Sequence, residues 1–354
     1  MLALAAGTDR DRGDAPQVLA LVTAPWATHS ELVRLGEVDG DGAALGRIEH
    51  GAGAAVRGAV LPGGGVVAVA DTVARRDLSF AASLFVLADG RPARRLCDEV
   101  VYASRPLVSP DGRVFVVRGA AGSESAGSQL RDDFLRIDEV DLQTGVARTQ
   151  HRFTGQLLHL AGWHDGALLV YRVDGDAADI VAIDVGEVGV AGAVRTVLED
   201  LPPFARDFSV DGGELVFLGR DEADPRRWQV LRLDLGAGTL RSLLATDSVR
   251  VGPFASGGAV HVASTAGPLA RVSGRGAAPV SPCAGVVSPG ALPGTCADVL
   301  RLASADGRWG AGLHHRPGAL PRAFVLDAGS GRATLLPVVN GWVELLGFAA
   351  EVRP

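Results

Sequence analysis

The chain has 354 residues, enough for one large or two ordinary domains, and nearly half of them are hydrophobic, so a buried core is within reach. Its formal net charge is −7, and no basic run or stripe argues for a nucleic-acid reader. All 34 cationic side chains are arginine; without lysine, neither Schiff-base chemistry nor a phosphate-loop lysine is possible.

Residues 1–16 read as a charged, flexible tether. Leu4-Ala5-Ala6-Gly7 has the look of the tail of a bacterial lipoprotein signal, but Thr8 stands where the lipidated cysteine would be. From residue 17 to 354 a single domain is expected. Tight Asp-Gly or Gly-Gly turns fall at Gly63-Gly64, Asp111-Gly112, Asp165-Gly166, Asp211-Gly212, Gly257-Gly258 and Asp306-Gly307. Their spacing is about 45 to 55 residues, the length of four short antiparallel strands. A strong apolar run follows each turn: Val66 to Val69, Val114 to Val117, Leu168 to Tyr171, Leu215 to Leu218, Ala259 to Val262 and, more weakly, Trp309 to Leu313. A third strand then ends in a second short turn, as at Ile183-Asp184-Val185-Gly186 and Leu233-Asp234-Leu235-Gly236. No stretch has helical periodicity with caps.

Two leftovers complete the pattern. Near the start, Gln17 to Val22, Glu31 to Val38 and Ala44 to Glu49 read as strands two, three and four of a unit that lacks its first. Near the end, Trp342 to Phe348 reads as a first strand alone. Together they predict a seventh unit built from both termini, whose pairing removes an open sheet edge.

The best single copy runs from Arg105 to Gly145, with Ser109-Pro110-Asp111-Gly112 before one strand and Asp141-Leu142-Gln143-Thr144-Gly145 after another. It resembles the repeat of WD-like and TolB-type β-propellers. The resemblance implies an all-β β-propeller of four-stranded antiparallel blades and a habit of binding protein partners. Counting the six complete units and the one shared between the termini makes a seven-bladed β-propeller the expectation, with six or eight blades as alternatives because the sixth unit is short and weakly patterned. The helical amino-terminal domain of TolB has no counterpart here, so a role in the Tol system does not follow. An exported protein, periplasmic or at the cell surface, is expected.

In such a blade the first-to-second and third-to-fourth turns lie on one face and the second-to-third and fourth-to-first loops on the other. Every long insertion here belongs to the second class, which points to that long-loop face, with the channel mouth, as the one that binds a partner. These insertions are Pro25 to Ser30, Arg75 to Ser83, Gly119 to Asp133, Asp221 to Trp228, His314 to Arg322 and Cys283 to Cys296. A disulfide between Cys283 and Cys296 would order a Gly/Pro-rich loop with no strand pattern; the alternative is two separate thiols.

Five to seven residues before each tight turn, where the innermost strand begins, stand Arg57, Arg105, His159, Arg206, Arg250, Arg301 and Glu344. With 34 arginines in 354 residues, chance would place about one or two there, against five found. Such a ring would concentrate positive potential at the mouth of a channel and suit a carboxylate, phosphate or sugar acid. A plainer reading pairs these arginines with nearby acids such as Asp207 and Asp298.

No nucleophile elbow, zinc-protease motif or phosphate loop occurs. Ser304-Ala305-Asp306-Gly307-Arg308-Trp309, Trp163-His164-Asp165 and His314-His315 have catalytic or ligating residue types, but each coincides with a turn or a strand whose adjacent side chains diverge. No catalytic residue, metal or cofactor is expected. The leading expectation is a non-enzymatic scaffold for a protein or peptide partner. The alternative is a small-ligand binder, or a hydrolase or lyase for an anionic sugar or ester, with His159 or Glu344 as acid or base.

Overall fold

The computed structural model describes residues 16–36, 44–51, 56–71, 82–88, 91–101, 104–119, 135–155, 157–186, 192–201, 204–221, 223–224, 226–246, 253–256, 258–262, 270–273, 276–279, 297–304, 306–316, 318–328 and 333–349. Among them are strands and turns but no α-helix. The Cys283 to Cys296 loop, Arg250 and the Gly119 to Asp133 loop beyond its first residue lie outside the described residues.

The chain lays down antiparallel meanders one after another. The first contains β1 (Val18–Thr23), β2 (His29–Leu35) and β3 (Gly46–Glu49). The second is β4 (Val56–Val60), β5 (Val66–Asp71), β6 (Ala82–Leu87) and β7 (Arg94–Val100). The third is β8 (Leu107–Val108), β9 (Val114–Arg118), β10 (Leu135–Val140) and β11 (Ala147–Phe153); the pair Val100 and Arg118 joins it to the second in one eight-stranded sheet. Next come β12 (Leu157–His164), β13 (Ala167–Asp174), β14 (Ala177–Asp184) and β15 (Val194–Leu201), then β16 (Arg206–Asp211), β17 (Glu214–Arg220), β18 (Trp228–Asp234) and β19 (Thr239–Thr246). The last two are β20 (Pro253–Ser256), β21 (Ala259–Val262), β22 (Ala270–Ser273) and β23 (Gly276–Pro279), and β24 (Ala297–Ala303), β25 (Trp309–His315), β26 (Arg322–Asp327) and β27 (Ala333–Leu335). Finally β28 (Trp342–Phe348) returns to β1 and pairs with it from Val18 opposite Phe348 to Thr23 opposite Trp342. The two ends of the chain thus share one sheet, in the order β28-β1-β2-β3.

The core lies between sheets rather than within any one of them. Tyr171 and Ile180 of one sheet pack with Phe217 and Leu233 of the next. Val18 and Ala20 pack with Ala311 and Val325 in the same way. A middle strand covered on both faces needs no polar face, which is why Val114 to Val117, Leu168 to Tyr171 and Leu215 to Leu218 are continuous apolar runs, all buried. Outer strands have one covered face at most, and β15 is accordingly mostly exposed. The first strands also pack on one another: β4 on β8, β8 on β12, β12 on β16, β16 on β20, β20 on β24, β24 on β28, and β28 on β4. The arrangement is all-β and propeller-like.

The turns are made as their residues demand. Asp165 (φ 46°) and Gly166 (φ 77°) both adopt left-handed backbone, the condition for the two-residue turn joining β12 to β13. In the β24–β25 turn the Ser304 hydroxyl donates to Asp306 Oδ1 (2.5 Å) and accepts from Trp309 N (2.9 Å). Ser109, Asp111 and Arg113 repeat these bonds between β8 and β9. Asp141 Oδ1 accepts from the amides of Gln143 and Thr144, and Asp234 Oδ1 from those of Gly236 and Ala237. Asp111, Asp141, Asp234 and Asp306 are turn caps, and Ser304 and Trp309 belong to the last of these turns.

Candidate functional site

Six first strands each bring one ionisable side chain to a common place: Arg57 on β4, Arg105 just ahead of β8, His159 on β12, Asp207 on β16, Arg301 on β24 and Glu344 on β28. Glu344, largely buried, is its anchor. One carboxylate oxygen accepts from Arg105 Nη2 at 2.6 Å, and the other lies 3.8 Å from Arg57 Nη1. A charge-assisted bond of the first kind holds a guanidinium in place; the second pair is looser and leaves most of the Arg57 donors free.

His159 is part-buried against Phe208, with ring centroids 5.7 Å apart. Burial lowers its pKa; the charge of Asp207 works against that, and Arg57 and Arg105 reinforce it. The imidazole is therefore neutral at neutral pH. Arg301 is reached by solvent, yet protein surrounds it closely enough that lost hydration pulls its pKa below the usual value. Asp207 and Glu344 act against the shift, and Arg105 and Arg57 add to it. Among the described residues, Arg301 makes no ion pair or hydrogen bond.

Arg206 takes a different path. Its guanidinium lies 5.4 Å over the Trp228 ring and reaches the cluster only through Asp207, at 3.5 Å. The cause is local: the pairing of β16 with β17 is irregular between Arg206 and Ser209, and Asp207 has φ 55°. The irregularity brings the charge of Asp207 to bear on His159 and Arg301. Alternation in steps of two cannot reveal a bulge, so the sequence signal for Asp207 was only its adjacency to Arg206. The side chain of Asp298 lies outside the described residues.

The other chemical candidates resolve into structure. His164 Nε2 sits 3.3 Å from Asp165, which occupies the hairpin turn. His314 is buried and accepts from Arg316 Nε at 3.0 Å, while His315 is half-buried on the other side of the strand. No group of three metal-ligating side chains gathers among the described residues. Cys97 is unpaired, and burial pushes its thiol up to about 11, so it stays protonated at neutral pH.

No protein-family model matches the chain, and no curated protein matches it in sequence. Solved structures do, at the level of fold. TolB from Acinetobacter baumannii superimposes with a TM-score of 0.50 and 14% identity, over 94% of this chain and 67% of that one. A puromycin-hydrolysing peptidase of Mycobacterium tuberculosis gives 0.52 and 18%, over 91% and 54%. Prolyl oligopeptidase B of Galerina marginata, bound to a 35mer hydrolysis and macrocyclization substrate, gives 0.57 and 10%, over 94% and 52%. The chain spans about two thirds of TolB and about half of each peptidase. These neighbours agree with a TolB-type fold; no sequence family places the chain among WD-like proteins.

Proposed function

We propose that the chain is a seven-bladed propeller, a single domain over residues 17–354 behind a tether at 1–16, that serves as a non-enzymatic scaffold for an acidic protein or peptide partner. The sequence of contacts among the seven first strands, returning from β28 to β4, supports a ring; the β1–β28 pairing supports its closure. The partner binds where the first strands begin, with Arg57, Arg105 and Arg301 as its principal cations and His159, Arg206, Arg250 and Glu344 around them. Export to the periplasm or cell surface, with a Cys283–Cys296 disulfide, belongs to the same reading.

The observation that carries it is Arg301, which makes no ion pair or hydrogen bond among the described residues. Three guanidiniums, of Arg57, Arg105 and Arg301, share two carboxylates, of Glu344 and Asp207, and the histidine among them is neutral. Three guanidiniums gathered against two carboxylates leave a local excess of positive charge that favours an incoming carboxylate. Acid–base catalysis fits less well, because Glu344 is held by two arginines and no hydrogen bond among the described residues joins it to His159.

The test is affinity capture from extracts of the native host, with the wild type beside an Arg105→Ala/Arg301→Ala double variant. A partner retained by the wild type and lost by the variant is expected. Equal retention by both overturns the reading.

A further inference from the structure

Three of the large apolar side chains most exposed to solvent stand at one end of the first sheet: Trp26 (85% exposed), Val338 (75%) and Trp342 (59%). Trp26 occupies the β1–β2 turn, where Ala27 N donates to Ala24 O at 3.0 Å. Trp342 opens β28 and pairs with Thr23 at the end of β1. Val338 lies in the connection leading into β28. That connection abuts the same strand: a Cβ on Gly341 would come within 2.6 Å of the Thr23 carbonyl oxygen. Pro25 and Pro337 are exposed beside them.

The base under this patch is a buried, hydrogen-bonded chain. Thr23 Oγ1 and Ser30 Oγ are 2.6 Å apart, Ser30 Oγ is 2.8 Å from His50 Nε2, and His50 Nδ1 is 2.8 Å from Gly51 O, with all three side chains buried. Trp26 itself has φ 62°, a left-handed conformation that bulky L-residues rarely adopt. Strained backbone and a wet indole on one residue, above a fully bonded base, gain the fold nothing and mark a surface that serves something outside the chain.

The patch adjoins the arginine cluster. Trp342 and Glu344 are two residues apart on β28, with regular pairing between them, so their side chains leave the strand on one side, roughly 7 Å apart. Arg105 and Arg57 gather around Glu344. An extended peptide repeats that spacing, since its own side chains two residues apart lie on one side at roughly 7 Å.

We propose that this end of the first sheet docks an extended acidic segment of a partner protein. An apolar side chain seats against Trp342, Trp26 and Val338, and a carboxylate two residues away reaches Arg301, Arg105 and Arg57. The inference rests on the acid-binding reading above and adds to it an apolar anchor and a spacing. Local charge complementarity selects this occupant. Beside the apolar patch stand three guanidiniums, of Arg57, Arg105 and Arg301, against the carboxylates of Glu344 and Asp207, and Arg301 makes no ion pair among the described residues. A carboxylate on the docked segment therefore meets an excess of positive charge.

The experiment pans a phage library of random heptapeptides against the full chain, then measures a labelled enriched peptide by fluorescence polarisation against Trp342→Ala, Trp26→Ala, Trp342→Phe and Arg301→Ala. Enriched peptides carrying an apolar residue two positions from Asp or Glu are expected. Affinity should fall about tenfold or more for Trp342→Ala and Arg301→Ala, and stay near wild type for Trp342→Phe. The substituted side chains are solvent-exposed, so thermal melts of the variants should match the wild type. Loss with Arg301→Ala but none with Trp342→Ala overturns the docking patch and leaves the acid-binding reading standing. Loss with neither, or enrichment of neutral peptides alone, overturns both. An empty selection on the wild type, or a Trp342-dependent dimer in sedimentation, overturns the patch as a peptide site.

Discussion

His159 is where folding and charge meet most directly. Its pKa in the folded chain lies below the ordinary 6.5, chiefly through burial, and His151 is lowered in the same direction by burial and Arg172. Below about pH 7 the unfolded chain therefore takes up protons that the folded chain refuses, so stability present above 6.5 is lost as pH falls toward the folded pKa. Urea melts between about pH 7 and pH 5 should show stability declining with acidity, and His159→Gln should flatten that slope. An unchanged slope would place the His159 ring in a wetter setting than the structure gives it. Ser30 carries a different kind of weight. It is the middle of the Thr23–Ser30–His50 chain, and Ser30→Ala leaves a buried hydroxyl and a buried ring nitrogen without their partner. A loss of about 2 kcal/mol is expected from the urea midpoint at constant m-value; a loss below about 0.5 kcal/mol would mean that water replaces the hydroxyl.

At the scale of strands and turns, neighbouring meanders are held by small contacts that sequence periodicity does not register. Gly145, in the β10–β11 turn, has φ 75°, and a Cβ there would lie 2.6 Å from the carbonyl oxygen of Leu96 on β7. Arg94 of β7 also donates to Leu142 O in the same turn. Gly145→Ala meets left-handed strain and a backbone clash together, and should cost about 2 kcal/mol or more. Ala147→Gly, nearby but free of both constraints, is the control; equal losses for the two would show that the turn relaxes. These strands were largely legible beforehand. The apolar runs at Val66, Val114, Leu168 and Leu215 coincide with β5, β9, β13 and β17, because middle strands buried on both faces leave a continuous hydrophobic record. Trp342 to Phe348 coincides with β28. The candidate site was legible only in part. Arg57, Arg105, His159, Arg301 and Glu344 converge because they occupy equivalent points on first strands, which a repeat displays. Asp207 is set by a bulge and Trp26 by a turn, and neither leaves a periodic trace. Arg250 and the two loop cysteines fall outside the described residues.

For the whole molecule the decisive contact is the one between its ends. Val18 pairs with Phe348, and Ala349 N donates to Gln17 O at 2.8 Å, so residues 17 and 349 are immediate neighbours. β28 contributes buried Val343, Leu345, Leu346 and Phe348, each worth roughly 1.5 to 3 kcal/mol of burial, and it covers an edge of β1 that would otherwise be open. It also supplies Glu344, without which Arg57 and Arg105 lose their shared counter-charge. Removing residues 342–354 therefore costs core, edge and charge balance at once, on the order of the 5 to 15 kcal/mol that holds a typical domain. The truncated chain should aggregate or lose its cooperative melt. A circular permutant separates closure from mere bulk. Joining 349 to 17 through a short Gly/Ser linker and opening the chain at 52–55, between β3 and β4, preserves every pairing of the first sheet while moving the termini. If the seven first strands form a ring closed through β1 and β28, the permutant keeps the strand content of the parent in circular dichroism and melts cooperatively within a few degrees of it. A permutant that fails to fold, beside a truncation that folds normally, would show that the β1–β28 pairing is dispensable and that the sheets are not joined in a ring through it.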